Sequence, residues 1–391
     1  MRVLHVSDCY LPRLGGIEVH VSDLVGHQRA VGIDARVVTL TEPGAGTAPD
    51  PAWVYRAGRQ PGRQATDPTR SVIAADADLR DLLARWRPDR VHVHVSVFSP
   101  FATLAARRAI SAGLPTLITV HSMWNRLGPL PGLAQALLQL RRWPMAWSAV
   151  SDAAAEPLRE MLGHRVDVAV LPNAVDPAAW RLAARPAAQG AASTAQTATL
   201  VSVMRFTRTK RALPLARMLR QLRQTVPPGI GLRAVVIGDG PQLRAFTRFV
   251  GRNDMSGWVD LPGRLDRASV RIQLADADLF VAPAELESFG IAALEARAAG
   301  LPVIASAASG VREFIRSGRE GLLAGDDRSM VASMARLVTD VSLREAIRDH
   351  NERTPIEHDW PAALRRTSWL YERAAAVAAA ARTPNAAHLA A

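Results

Sequence analysis

The sequence predicts an α/β protein in which short apolar strands alternate with helices, long enough to form two domains. Three observations carry the prediction. The chain has 391 residues, enough for two domains. Short apolar runs, each followed by a segment of helical period, recur along its length. The stretch 278–306, DLFVAPAELESFGIAALEARAAGLPVIAS, contains a whole strand–loop–helix–strand unit. In it, 279–282 reads as a buried strand ended by Pro283, and 285–287 as an acidic loop. Ser288-Phe289-Gly290 lead into a helix over 291–299, closed by Gly300 and Pro302. Residues 303–305 read as the next strand. Open α/β sheets bind ligands at the carboxyl ends of their strands, where this loop lies.

Composition narrows the class. Hydrophobic residues make up 48% and charged residues 21%, as in a soluble globular protein. No run approaches the ~18 apolar residues of a membrane span. MRVLHVSDCYLP lacks the charged-then-apolar pattern of a signal peptide. The single cysteine, Cys9, excludes an internal disulfide. Together these point to a cytoplasmic protein. The net charge of +12 comes without a nucleic-acid motif, and the basic residues are spread rather than clustered. An arginine-rich proteome, an anionic ligand and an anionic lipid surface each account for it. Of the 48 basic residues only Lys210 is a lysine. A chain that uses arginine everywhere else has kept one compact point charge there.

The elements follow in order. Residues 2–7 form a first strand. The loop 8–16 carries Gly15-Gly16 and enters a helix over 17–30. Loop glycines are ordinarily turn residues, but at a helix start they also let the backbone approach a phosphate. GIDARVVTL is the second strand. Residues 42–70, rich in Pro, Gly and Ala, read as irregular surface chain. A helix over 76–86 and a strand over 90–95 come next, with His92 and His94 on one face of that strand. With His121 they invite a zinc site. No third or fourth ligand has metal-type spacing, so histidines at a strand end, filling a cleft wall, are the favoured reading. A helix over 101–112, a turn and a strand over 116–120 lead to His121. Residues 127–147, Ala/Leu-rich and ending near Arg141, Arg142, Trp143 and Trp147, read as a helix packed on the sheet. An interfacial helix touching a membrane stays open as the alternative.

A strand over 146–151 and the segment VAVLPNAVD, 168–176, close a first domain of residues 1–180. The low-complexity stretch 181–198 is its linker to a second. That domain, 199–358, opens with a strand over 199–204, the loop RFTRTK and a helix over 213–223. It continues through a strand over 232–238, the turn GDGP, a strand over 259–263 and the 278–306 unit. A turn and strand over 318–327 and helices over 329–338 and 343–350 end it. A last helix over 360–375 precedes a frayed, Ala-rich tail, 376–391.

Glu287 and Glu295 lie eight residues apart. A mostly helical connection would separate them by roughly 12 Å along the axis, beyond the ~5–9.5 Å of paired glycosidase carboxylates. They suit gripping two parts of one elongated ligand. A carboxylate accepts two hydroxyl hydrogen bonds, as a sugar or ribose diol offers, and the helix start between them favours phosphate. The stretch resembles the E-x7-E signature of retaining glycosyltransferases of family 4, through ESFG, the LEA around Glu295, and AGLPVIAS. Ala284 stands where the family often has Ser. PRLGGIEVHVSDL resembles the family's glycine-rich first loop, and LITVHS its histidine segment. VAVLPNAVD resembles the strand and PNGVD turn that end its N-domain, with Ala174 in place of Gly. Arg205 and Lys210 match its R-x4-K spacing.

The resemblance implies the GT-B architecture, two Rossmann-like domains facing a central cleft, with the last helix crossing back onto the first. It implies a retaining, metal-independent transfer of a hexose from a UDP- or GDP-linked sugar to a hydroxyl on a lipid, polysaccharide or small metabolite. No cofactor is expected, since the nucleotide sugar is a substrate. His121, Arg205, Lys210 and Glu287 are the expected catalytic residues. Arg205 and Lys210 stabilise the departing diphosphate, Glu287 holds sugar hydroxyls, and His121 positions the sugar. Gly15, Gly16, Gly238, Arg264, Ser288, Phe289, Gly290 and Glu295 are the expected donor-binding residues, with Glu18 on the acceptor side. Peripheral association with the inner face of a membrane stays open, and no nucleic acid is expected as partner. A non-catalytic nucleotide-binding protein of the same fold is the alternative, although it would be expected to lose part of the motif set. A basic nucleic-acid-binding protein explains the charge but not the glutamates.

Overall fold

A computed structural model describes residues 1–13, 15–44, 49–58, 68–124, 139–163, 166–181 and 197–382, with 68–71 described by their backbone alone. The chain divides into two compact units, Met1–Ala174 with Trp360–Ala391, and Val175–Asp359.

The first unit is built on a seven-stranded sheet. Its elements are β1 (Arg2–Ser7), α1 (Gly16–Ala30), β2 (Asp34–Thr39), β3 (Val54–Arg56), α2 (Pro68–Trp86), β4 (Arg90–Val95), α3 (Pro100–Ser111), β5 (Thr116–Val120), β6 (Ala146–Ala149), α4 (Asp152–Leu162) and β7 (Val168–Val170). The strands run β3-β2-β1-β4-β5-β6-β7, all parallel. Strands covered on both faces read as continuous apolar runs, and β1, β4 and β5 are buried almost throughout.

The second unit has a six-stranded sheet, β10-β9-β8-β11-β12-β13, again parallel. Its elements are α5 (Pro177–Trp180), β8 (Thr197–Val203), α6 (Ala212–Thr225), β9 (Gly231–Ile237), α7 (Leu243–Arg252), β10 (Val259–Gly263), α8 (Arg267–Ala275), β11 (Leu279–Ala282), α9 (Ile291–Ala298), β12 (Val303–Ser306), β13 (Gly321–Ala324), α10 (Asp327–Thr339) and α11 (Val341–Arg353). Leu215, Leu219 and Leu222 of α6 and Met330, Met334 and Leu337 of α10 share one buried cluster with Leu200, Val236 and Leu279 of the sheet.

The last helix, α12 (Trp360–Arg382), returns to the first sheet. Its Leu370, Tyr371 and Ala374 pack with Val3, Leu117, Ala146 and Ala169. In each sheet the strand order reverses beside the first strand, between β1 and β4 and between β8 and β11. The crevice outside the carboxyl ends at such a point is where open α/β sheets take ligands.

The structure corrects several expectations. Residues 42–70 are not wholly irregular: β3 and the first turn of α2 fall there, with Pro68 at the first helical position, where its missing N–H costs nothing. Helices α4, α7 and α8 were not foreseen. Ser151 and Asp266 cap two of them, accepting from the N–H groups of Ala154 and Ser269. The expected frayed tail begins too early, because α12 continues to Arg382 with Ala378 buried. Alanine is the strongest helix former, so its run extends the helix. Most of the Ala/Leu-rich segment 127–147, and the linker expected at 181–198 except at its two ends, lie outside the described residues. Among the described residues no helix is long and apolar enough to cross a membrane.

Candidate functional site

In the second domain the loops leaving β8 and β11 flank the switch point. The loop 204–211 is held from beneath by the turn after β9. Met204 N–H donates to the Ile237 carbonyl at 3.0 Å, Phe206 N–H to Asp239 at 2.9 Å, and Gln242 N–H to Phe206 at 2.8 Å. Gly238 makes this possible. Its φ is +136°, and a Cβ there would lie 1.9 Å from the Met204 carbonyl oxygen. Gly238 is therefore the support on which the Arg205–Lys210 loop rests.

On that loop Lys210 Nζ meets Glu287 Oε2 at 2.5 Å. The neighbouring Arg211, in a left-handed backbone conformation with φ +58°, pairs with Glu285 at 3.1 Å and Asp327 at 2.6 Å. A non-glycine residue holds such a φ only where its surroundings impose it. Here the ion pairs tie the β8 loop to the β11 loop and fix Lys210 against Glu287. Arg205 is exposed and makes no ion pair among the described residues.

Glu287 lies in the loop ahead of the helix, as the sequence suggested. The helix begins at Ile291, and 287–290 is a turn. The turn is clamped by the segment after β12, with Gly310 N–H donating to the Glu287 carbonyl at 2.7 Å. A Cβ on Gly310 would lie 2.1 Å from the Ser288 carbonyl oxygen. Gly290, with φ +94°, is the N-cap of α9. Ser288 is half-buried. The Phe289 ring is buried against Phe314 and His358, so its side chain is core. Glu295, on α9, pairs with Arg267 at 3.3 Å, and that guanidinium lies over the Trp180 ring. Arg264 is exposed beyond the end of β10. The arrangement is a lysine and a carboxylate at the crevice, beside a helix N-terminus, which suits a ligand carrying phosphate and hydroxyls.

In the first domain Gly16 opens α1 and Gly15 is its N-cap. The backbone of Gly15 is extended. The nearest atom to a Cβ there would be Glu18 Oε2 at 2.4 Å, the end of a flexible side chain. Glu18 is buried and pairs with Arg13 at 3.1 Å.

His121 follows β5 and is buried, and it belongs to a layer of histidines. His92 and His94 are not at a cleft wall. Both are buried between the sheet and the helices, on the face that α12 covers. The third histidine, His5, comes from β1, which pairs with β4 at His5↔His92. His5, His92 and His94 each place one ring nitrogen within 4.8 Å of the others, a metal-like geometry that chain spacing does not reveal. Yet all six ring nitrogens hold hydrogen bonds, to Gln28, Tyr371, Thr119, His121 and one another. A cation would have to displace these. Burial is the main force on every ring. It draws His5 down to about 4 and His20, the α1 residue whose ring lies 5.6 Å from that of His121, to about 3, and the others well below the usual imidazole range, with repulsion from neighbouring rings adding to it in all but His5.

Sequence reasoning missed His5, Gln28, Tyr371 and Arg211. The alternating HVHV of β4 was a readable sign of one polar face. The strand register and the return of α12 that complete it were not.

The chain is similar to known proteins over most of its length. Residues 14–179 match the family model described as Glycosyltransferase Family 4, and 188–354 that described as Glycosyl transferases group 1. A GDP-mannose-dependent alpha-(1-6)-phosphatidylinositol monomannoside mannosyltransferase of Mycobacterium tuberculosis is 28% identical over 84% of this chain and 86% of its own. A glycogen synthase of the same organism is 27% identical over 95% and 94%. Among solved structures, Anabaena HepE in complex with UDP and glucose superposes with a TM-score of 0.74 at 17% identity, over 95% of this chain and 99% of that one. A sucrose-phosphate synthase from Thermosynechococcus elongatus gives 0.73 at 17%, over 95% and 98%. At such identity the structural likeness speaks for the fold alone.

Proposed function

The chain belongs to glycosyltransferase family 4, and on that premise we propose that it transfers a hexose, with retention, from a UDP- or GDP-sugar to an acceptor hydroxyl. The observation that carries this is the Lys210–Glu287 pair at the switch point of the second sheet. The solitary lysine of the chain stands where a diphosphate meets a helix N-terminus. As the bond from the sugar's anomeric carbon to phosphate breaks, negative charge builds on the leaving diphosphate. Arg205 and Lys210 stabilise that charge. Glu287 and the amides after it hold the sugar hydroxyls, Glu295 holds the ribose, and His121 contacts the transferred sugar. The acceptor oxygen bonds to the anomeric carbon, and its proton passes to the departing phosphate. No metal is needed for this charge balance, because the cations are side chains.

A thermal-shift panel of UDP, GDP, ADP and their sugar conjugates, run without added metal, tests the proposal. A ligand at 100 times its Kd adds ~2.7 kcal/mol of stability. A selective shift by one nucleotide names the donor class. A panel without any shift removes the proposal.

A further inference from the structure

A cavity of about 550 Å³ lies at the edge of the first sheet, two strands away from its switch point. Among the described residues it is lined by β2, β3 and α2. Its volume falls in the range of sites that take small ligands. The inner wall is apolar and aromatic. Val38 and Trp86 are buried there, and Tyr55 and Leu82 are half-buried. Exposed Asp78, Asp81 and Arg85 form the rim. Residues 78, 81, 82 and 85 recur at helical spacing, so one face of α2 supplies them all.

The wall is held in place from behind. Arg36 lies over the Trp86 ring at 4.5 Å, donates to the Tyr55 hydroxyl at 2.6 Å and pairs with Asp34 at 3.4 Å. Trp86 Nε1–H donates to the same carboxylate at 3.3 Å. Arg56 is gripped by Asp50 through bonds of 2.6 and 2.9 Å, and donates to the Thr41 carbonyl at 2.8 Å. Side chains locked in this way lose little freedom when a ligand enters.

Charge decides the ligand class. The chain carries +12, yet every guanidinium of this cavity already faces a carboxylate. Arg36 meets Asp34, Arg56 meets Asp50, and Arg85 meets Asp81 at 3.4 Å. Asp78, which accepts the Gly58 N–H at 2.8 Å, adds a further negative group. A phosphate would therefore meet two rim carboxylates and no unbalanced cation. A wholly apolar ligand would take water from the rim charges and return no hydrogen bond. A neutral polyol satisfies both parts. Its hydroxyls donate to Asp78 and Asp81 and accept from Arg85, while its C–H face lies on the aromatic wall.

We propose that this cavity is a carbohydrate-binding site outside the crevice, which takes a neutral hexose unit of a glycan chain. Val38 and Arg56 stand at the carboxyl ends of β2 and β3, the edge of the sheet on which the switch point opens. Two strand spacings of ~4.8 Å separate the β2–β3 pair from the β1–β4 pair, roughly 10 Å, a gap that a short oligosaccharide spans. The acceptor is then a growing glycan rather than a small metabolite. That last step rests on the transfer proposed above, and the binding site itself does not.

The test presents the full chain, without nucleotide, to an array of neutral gluco-, manno- and galacto-oligosaccharides and their sulfated counterparts. Neutral chains should bind, and sulfated ones more weakly. Leu82→Trp, which fills the cavity, should lower that binding at least tenfold. Asp81→Ala changes a side chain that is 70% exposed, so it leaves the fold intact. It should lower binding about tenfold, the worth of one hydrogen bond to a charged group. The thermal shift given by a nucleotide should be the same in both variants as in the wild type. No neutral glycan bound, a preference for sulfated chains, unchanged binding in a folded variant, or displacement of the glycan by nucleotide would each overturn the proposal. With the bound glycan as acceptor, Asp81→Ala should raise KM about tenfold and leave kcat unchanged. A lower kcat at unchanged KM would remove the cavity from holding the acceptor. A nucleotide panel without any shift fails the proposed transfer instead, and the array judges the cavity separately from that result.

Discussion

In the first domain His5, His92 and His94 meet Gln28, Thr119 and Tyr371 through hydrogen bonds of 2.7 to 3.0 Å between neutral groups. In the second, Glu320 has no exposed surface and sits among charges. Arg316 donates to it at 2.5 Å, His350 lies at 3.1 Å and Arg297 at 3.9 Å. Both domains have buried polar interiors, but one is built of uncharged rings and the other of ions. Burial pushes the Glu320 carboxyl up, and the bonds from Arg316 and His350, with the field of Arg297, outweigh it and draw it down to about 2. No such countercharge acts on His5, where burial prevails. The two interiors therefore answer acid in different ranges.

The largest expected effect follows from the signs. A histidine whose folded pKa is depressed contributes stability above its unfolded value, and that stability is lost as pH falls toward the folded value. For His5 the window runs from 6.5 down to about 4. Each such ring costs about 1.4 kcal/mol per pH unit within its window. Glu320 is also depressed, and its contribution is lost only from 4.5 down toward about 2. Hydrogen exchange at a series of pH values should show β1, β4 and β5 losing protection between pH 6 and 4.5, ahead of β8 and β11 (on the order of one pH unit per 1.4 kcal/mol for each ring). Simultaneous loss in both sheets, only below pH 4.5, would break the distinction.

Glu320→Ala comes next. It leaves Arg297 buried without its partner, a change that costs about 3–5 kcal/mol. Chemical denaturation should place that loss in the second domain alone. The matching deletion in the neutral layer, Thr119→Val, should cost less, about 1–3 kcal/mol. Equal costs would mean that charge makes no difference to the two interiors.

Lys210→Ala tests the catalytic use of charge. Removing one preorganised cation should lower kcat by about 10²–10³-fold. The melting temperature should barely move, because a part-exposed ion pair contributes only about 0–1 kcal/mol. Near-normal turnover in the folded variant would remove Lys210 from the reaction. The smallest of the series is Gly238→Ala. The added methyl forces the Met204 carbonyl aside and should cost about 1–3 kcal/mol, with a weakened nucleotide shift, since the loop it supports carries Arg205 and Lys210.

Much of this was legible in the sequence where a signal is local. The runs of β5 and β11 are almost wholly apolar and β4 alternates valine with histidine, and the structure places these strands and β10 at the expected residues. Lys210 and Glu287 stand out by composition and spacing, and the strand order brings their loops side by side. What stayed hidden depends on pairing across the chain. His5 joins His92 only through the register of β1 with β4, and Tyr371 reaches Gln28 across 343 positions of sequence. Arg211 looked like one arginine among many, since its φ of +58° and its two ion pairs exist only after folding. Phe289 shows the converse. Its place in a matching motif suggested contact with a ligand, and packing against Phe314 and His358 puts its ring in the core instead.

The return of α12 to the first sheet bears on how the protein is made. Translation delivers the strands of the first domain early, yet Leu370, Tyr371 and Ala374, which cover them, emerge last. The whole of Val175–Asp359 is synthesised in between. At about 5–20 residues per second that interval lasts roughly ten to forty seconds. During it the apolar residues Val3, Leu117 and Ala146 and the open histidine layer wait without their cover on the ribosome. The second domain, although later in the chain, can complete its core first, which reverses the usual N-to-C order of maturation and makes the nascent first sheet a natural client for chaperones.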